Sequence, residues 1–188
     1  MMNLKHQLGR AVGSAAAAIT IVWLSVAGAA SASVAHAAAL RPSRNGPLYG
    51  CVFQTVNGHY LTAVGGGGRI TDVIHTDATR IGSWEKFTLI DSGDGSPIHY
   101  GIRTTNGHYL TAVGGGGRIT DVIHSDATWL QAWEKFTLVW VANNVYAIQT
   151  TNGHYLTAVG GGGRVTDTIH SDATQIQAWE KFTVTCGH

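Results

Sequence analysis

From residue 48 onward, β-branched, aromatic and aliphatic residues come in short runs, each ended by glycine, Asn-Gly or a polar stretch. Runs at 52–56 and 59–64 flank Asn57-Gly58. Asn-Gly between such runs is the strongest short-range hairpin signal, because a type I′ turn needs positive φ at both central positions. Four glycines at 65–68 then separate 59–64 from a third run at 69–74, which predicts a second hairpin. A polar link, 75–83, leads into Trp84-Glu85-Lys86-Phe87-Thr88-Leu89 as a fourth strand. No stretch after residue 48 has the 3.6-residue apolar period of an amphipathic helix, so the predicted class is all-β.

The pattern occurs three times. Residues 57–88 return at 106–137 with five differences, and 106–137 returns at 152–183 with four. Identity without gaps sets the register of three structural units, taken as about 48–97, 98–143 and 144–188. The region 48–188 is about 141 residues, enough for one domain with a core but not for three. Units of 46 to 49 residues must therefore share a core with their neighbours. Twelve short antiparallel strands in three like units point to closure into a threefold barrel with a hairpin cap, a β-trefoil, since closure removes the sheet edges.

The two cysteines bracket the repeats, Cys51 before the first copy and Cys186 after the last. Their compartment follows from the N-terminus, where Lys5 and Arg10 precede an uncharged stretch rich in Ala, Ile, Val and Leu that ends in small residues. This pattern predicts a secretory signal over 1–37, cleaved after Ala35-His36-Ala37, and a short polar leader over 38–47. Cleavage leaves no membrane span. In an exported protein the two cysteines are expected to pair, which requires the first and last strands to be neighbours.

Charge narrows the partners. Of the 12 Lys and Arg, removal of Lys5 and Arg10 leaves 10 against 11 acidic residues, and only one Arg and one Lys recur per repeat. Nucleic-acid binding needs clustered cations to displace counterions, so nucleic acid is not an expected partner. Six of the histidines recur in the repeats, at 59, 75, 108, 124, 154 and 170, and could titrate together near neutral pH.

Recurring aromatics, Trp84, Trp133 and Trp179 with Phe87, Phe136 and Phe182, are expected in the core. Trp129 stands where the other copies have Arg80 and Gln175, so it is expected to face solvent as a candidate ligand contact.

Two features exceed what the fold needs. Four glycines per loop are more than a turn requires, and they offer bare backbone to an approaching ring or chain. No Gly-Lys-Ser/Thr follows them, so no phosphate cradle is predicted. After each loop come Arg69, Asp72, His75 and Asp77, then Arg118, Asp121, His124 and Asp126, then Arg164, Asp167, His170 and Asp172. His75 and Asp77 are two apart, so an extended chain puts both on one side and presents an acceptor beside an imidazole, a pairing suited to sugar hydroxyls. The alternative is structural, with Asp77 capping a turn and His75 filling a polar niche.

The motif NG-x-YLTA, a Gly-rich turn and WE-x-F resembles the fascin-like, or actin-crosslinking-like, β-trefoil repeat over the whole region 48–188. That resemblance implies the trefoil fold and a range of roles, from actin bundling to secreted bacterial modules. His-x-Asp after Gly-Gly also resembles the ligand motif of galactose-binding mussel trefoil lectins. Carried over, it reaches Gly65, Gly66, His75 and Asp77, with Gly114, Gly115, His124 and Asp126 and with Gly160, Gly161, His170 and Asp172 as the further copies. Two histidines of that motif fall on Thr62 and Thr79 here.

The resulting expectation is a secreted, noncatalytic carbohydrate-binding trefoil with up to three equivalent weak sites, Arg69, Arg118 and Arg164 contributing. Its alternative is a fascin-type module contacting actin or another surface protein. No cofactor is expected. No metal is expected either, because three ligands from one strand wrap an ion poorly. No nucleophile elbow is present, and three equal units suggest no cleft for paired catalytic carboxylates.

Overall fold

The computed structural model describes residues 46–95 and 97–188. The predicted signal and all but the last two residues of the leader lie outside them. Twelve strands follow in three sets of four. The first set is β1 (Leu48–Gln54), β2 (Tyr60–Ala63), β3 (Ile74–Ala78) and β4 (Phe87–Asp91). The second is β5 (His99–Arg103), β6 (Tyr109–Ala112), β7 (Ile123–Ala127) and β8 (Lys135–Ala142). The third is β9 (Val145–Gln149), β10 (Tyr155–Ala158), β11 (Ile169–Ala173) and β12 (Lys181–Thr185). Only short 3-10 turns interrupt them among the described residues.

The outer strands of each set close a six-stranded antiparallel barrel. Its pairs run β1 with β4, β4 with β5, β5 with β8, β8 with β9, β9 with β12, and β12 back to β1. Every barrel strand thus has both edges paired, as closure requires. The inner strands form three hairpins, β2–β3, β6–β7 and β10–β11. Phe53, Phe87, Phe136 and Phe182 fill the centre together with Leu89, Ile102 and Ile148, all buried. Cys51 and Cys186 are bonded, and the seam they bracket pairs Val52 with Thr185.

Three local expectations are corrected. The Asn-Gly hairpins exist, but only the glycine (Gly58, Gly107, Gly153) takes positive φ. The turn is closed by Gly58 N–H donating to the Thr55 carbonyl at 2.9 Å and Thr55 N–H donating to the His59 carbonyl at 2.8 Å. It is therefore one residue longer than a type I′ turn. The third strand begins at Ile74, not at 69, because Asp72 sits at φ 52 and breaks the extended chain; the segment 75–78, read as polar link, is strand instead.

The third correction concerns Trp84, Trp133 and Trp179, which are not core: they are 47%, 50% and 48% exposed. β4 starts only at Phe87, so Trp84 lies in the preceding turn. The residue buried there is the glutamate beside it (Glu85, Glu134, Glu180). One carboxylate oxygen accepts from a Thr hydroxyl (Thr62, Thr111, Thr157) at 2.7 Å in each copy. The other accepts the backbone N–H of Gly82, Gln131 or Gln177 at 2.7, 2.9 and 2.8 Å. Burial of an acid is tolerated where such partners satisfy it.

Candidate functional site

Each glycine loop is a joint between repeats. All four glycines, 65–68, have positive φ. A Cβ on Gly66 would meet the Asn106 side chain at 2.8 to 3.0 Å in the three copies, and one on Gly67 would run into Thr104. The next repeat's hairpin turn is pressed against bare backbone. Asn106 donates its side-chain amide to the Gly65 carbonyl at 2.9 Å and its backbone N–H to the Gly66 carbonyl at 3.1 Å. Asn152 does the same on Gly114 and Gly115, and Asn57 on Gly160 and Gly161, so the ring of joints closes.

A second contact continues the joint. Gly68 N–H donates to the Ser125 carbonyl at 2.7 Å and Ser125 N–H to the Arg69 carbonyl at 2.8 Å. The Ser125 hydroxyl, wholly buried, accepts from the Arg69 N–H at 3.2 Å. Ser171 and Thr76 occupy the equivalent places. Sequence reading passed over this position, although its one difference, Thr for Ser, keeps the hydroxyl.

The polar cluster hangs from this joint. Asp72 receives the Arg69 guanidinium at 3.3 Å on one carboxylate oxygen and the His75 Nε2 at 2.6 Å on the other. Arg69 Nε also donates to the Thr71 carbonyl at 3.2 Å. The second and third clusters repeat this geometry to within 0.1 Å. The partner of His75 is therefore Asp72, and not the Asp77 two residues on. Asp77, Asp126 and Asp172 are exposed and make no hydrogen bond or ion pair among the described residues. Gly65, Gly114 and Gly160 are exposed, while Gly66, Gly115 and Gly161 are buried under the neighbouring asparagine. Trp129 is 77% exposed.

Two recesses accompany these groups. A depression of about 630 Å³ is lined by 70–74, 119–123 and 165–169, the same five positions of every repeat. It therefore lies on the pseudo-threefold axis. Ile70, Ile119 and Val165 stand exposed at it, and Thr168, where the other copies have valine, donates its hydroxyl to the Ile74 carbonyl at 2.6 Å. A smaller recess of about 320 Å³ lies at Gln177, Ala178, Trp179 and Glu180. Between the first two repeats, Lys135 donates to Asp94 at 2.7 Å and holds its carboxyl below the usual carboxylate range. No group of three or more His, Cys, Asp or Glu among the described residues is arranged to hold a metal ion.

Closed barrel, hairpin triplet and threefold symmetry can be matched against solved structures. The designed threefold-symmetric protein ThreeFoil superposes with a TM-score of 0.59 at 13% identity, over 72% of this chain and 96% of that one. The Rhizoctonia solani agglutinin gives 0.59 at 15% identity, over 74% and 96%. The fold is β-trefoil-like. A Polyporus squamosus lectin, solved with a human-type influenza-binding epitope, gives 0.55 at 17% identity over 73% of this chain and 48% of that one. Identities this low carry the fold alone. No family model matches the sequence, and no curated protein matches it. The fascin-like resemblance thus rests on the repeat motif.

Proposed function

We propose that this chain is an exported, noncatalytic carbohydrate-binding trefoil with up to three equivalent sites, one per repeat. The observation that carries the reading is the exposed, unpartnered carboxylate of Asp77, Asp126 and Asp172 on the same strand as an anchored histidine. Asp72 and its equivalents fix the arginine and imidazole, so the free carboxylate is the acceptor left for a sugar hydroxyl, and Gly65 offers open backbone nearby in the chain. Trefoil lectins among the solved structures support the class of ligand. The disulfide is compatible with export.

With an exposed carboxylate as its acceptor each site is expected to be weak, and three on one scaffold add avidity toward a repeating glycan. A glycan array followed by titration calorimetry tests this. The expected result is millimolar binding of a monosaccharide, about −4 kcal/mol per site, strengthened on multivalent glycans. The triple variant Asp77→Ala, Asp126→Ala, Asp172→Ala is expected to lose it. Binding unchanged in that variant, or absent from the wild type at millimolar sugar, sinks the reading.

A further inference from the structure

Three tryptophans face outward on turns that do not move freely. In each turn the buried glutamate ties the backbone N–H three residues earlier to a threonine of the preceding hairpin. The carbonyls of Trp84 and Trp179 in addition accept the N–H of Ala63 and Ala158, both at 2.9 Å. About half of each tryptophan is left in solvent on a base fixed by these hydrogen bonds. Such a platform loses little entropy when a ring stacks on it.

The turn of repeat 1 differs from the other two around the indole. Repeat 3 reads Gln177-Ala178-Trp179 and lines the open recess of about 320 Å³, at the lower end of small-ligand sites. Repeat 1 has Gly82-Ser83-Trp84 and brings no side-chain amide. Repeat 2 carries the same residues, Gln131-Ala132-Trp133, and its Gln131 backbone N–H bonds Glu134 as that of Gln177 bonds Glu180. Repeat 3 combines an exposed indole, a Gln177 side-chain amide that makes no hydrogen bond among the described residues, and a recess. Its Glu180 carboxylate is turned inward with both oxygens bonded, so the recess presents no free charge.

We infer that the Trp179 turn is a binding subsite for a neutral pyranose, stacked on the indole and hydrogen-bonded by Gln177. This rests on the carbohydrate reading but uses different residues from the Asp77 set. An apolar sugar face on an aromatic ring with one amide donating and accepting is a small-site arrangement of anchor plus orienting group.

The test uses the full chain, disulfide intact, titrated with lactose, N-acetyllactosamine, cellotetraose and mannotriose at up to about 10 mM while tryptophan emission and heat are recorded. The expected result is emission change on binding, at least about tenfold weaker affinity in Trp179→Ala, partial retention in Trp179→Phe, and no change in Trp84→Ala. Wild-type affinity retained in full in Trp179→Ala overturns the inference and leaves the Asp77 reading standing. Loss in Trp179→Ala with full binding in the triple Asp variant does the reverse. No binding of any sugar by the wild type overturns both, and an unchanged thermal midpoint in Trp179→Ala separates loss of the subsite from loss of the fold.

Discussion

Glu85, Glu134 and Glu180 each spend both carboxylate oxygens inside the protein, while the tryptophan one residue earlier stands in solvent. The choice follows from what the turn leaves unpaired: a threonine hydroxyl and a backbone N–H, which an indole cannot satisfy and a carboxylate can. Glu134→Ala is accordingly expected to cost about 1 to 3 kcal/mol, the penalty of two stranded groups, read as a shift in urea midpoint. An unshifted midpoint would mean the turn is held by something else. Recurrence alone could not reveal this inversion, because Trp and Glu recur equally in all three copies. Only the start of β4 at Phe87, two residues beyond the glutamate, determines which of the pair points inward.

At the scale of elements, the glycine loop and the Asn-Gly turn are two halves of one joint, contributed by neighbouring repeats. Gly67 sits at φ 100, ψ −174, a region open essentially to glycine, and its missing side chain is the space Thr104 occupies. Gly67→Ala is expected to cost about 2 to 5 kcal/mol, backbone strain and overpacking together. Gly65→Ala, which meets nothing closer than 3.8 Å, should cost only about 1 to 2 kcal/mol from the left-handed backbone. Equal losses in the two variants, measured by calorimetric midpoint, would argue against the joint. Excess glycine was visible in the sequence, and so was its suitability for close approach. Its occupant, the turn of the next repeat, lies about 40 residues or more away along the chain and becomes a neighbour only on closure.

For the whole molecule, the decisive event is the return of β12 to β1, clamped by Cys51–Cys186 across a sequence separation of 135. In the chain-entropy model a loop of that length makes the bridge worth about 4 to 5 kcal/mol. Reduction, or the pair Cys51→Ser and Cys186→Ser, is therefore expected to lower the urea midpoint, and a midpoint indifferent to reductant would place the stability of closure in the barrel pairs alone. The sequence by itself determined the all-β class, the threefold repeat, the phenylalanine core and the pairing of the cysteines. Each of these depends on local periodicity or on copy number, which a linear chain displays directly. Tertiary structure decided that Trp84, Trp133 and Trp179 face out, that His75 answers to Asp72, and that the glycine loops are filled by asparagine. It also made one axial depression out of three hairpins. The filled glycine loops and the axial depression need segments of different repeats that meet only when the barrel closes, whereas the outward tryptophans and the His75–Asp72 pair are set within one repeat by the left-handed turn at Asp72 and the hydrogen bonds of Glu85, neither of which leaves a periodicity in the chain.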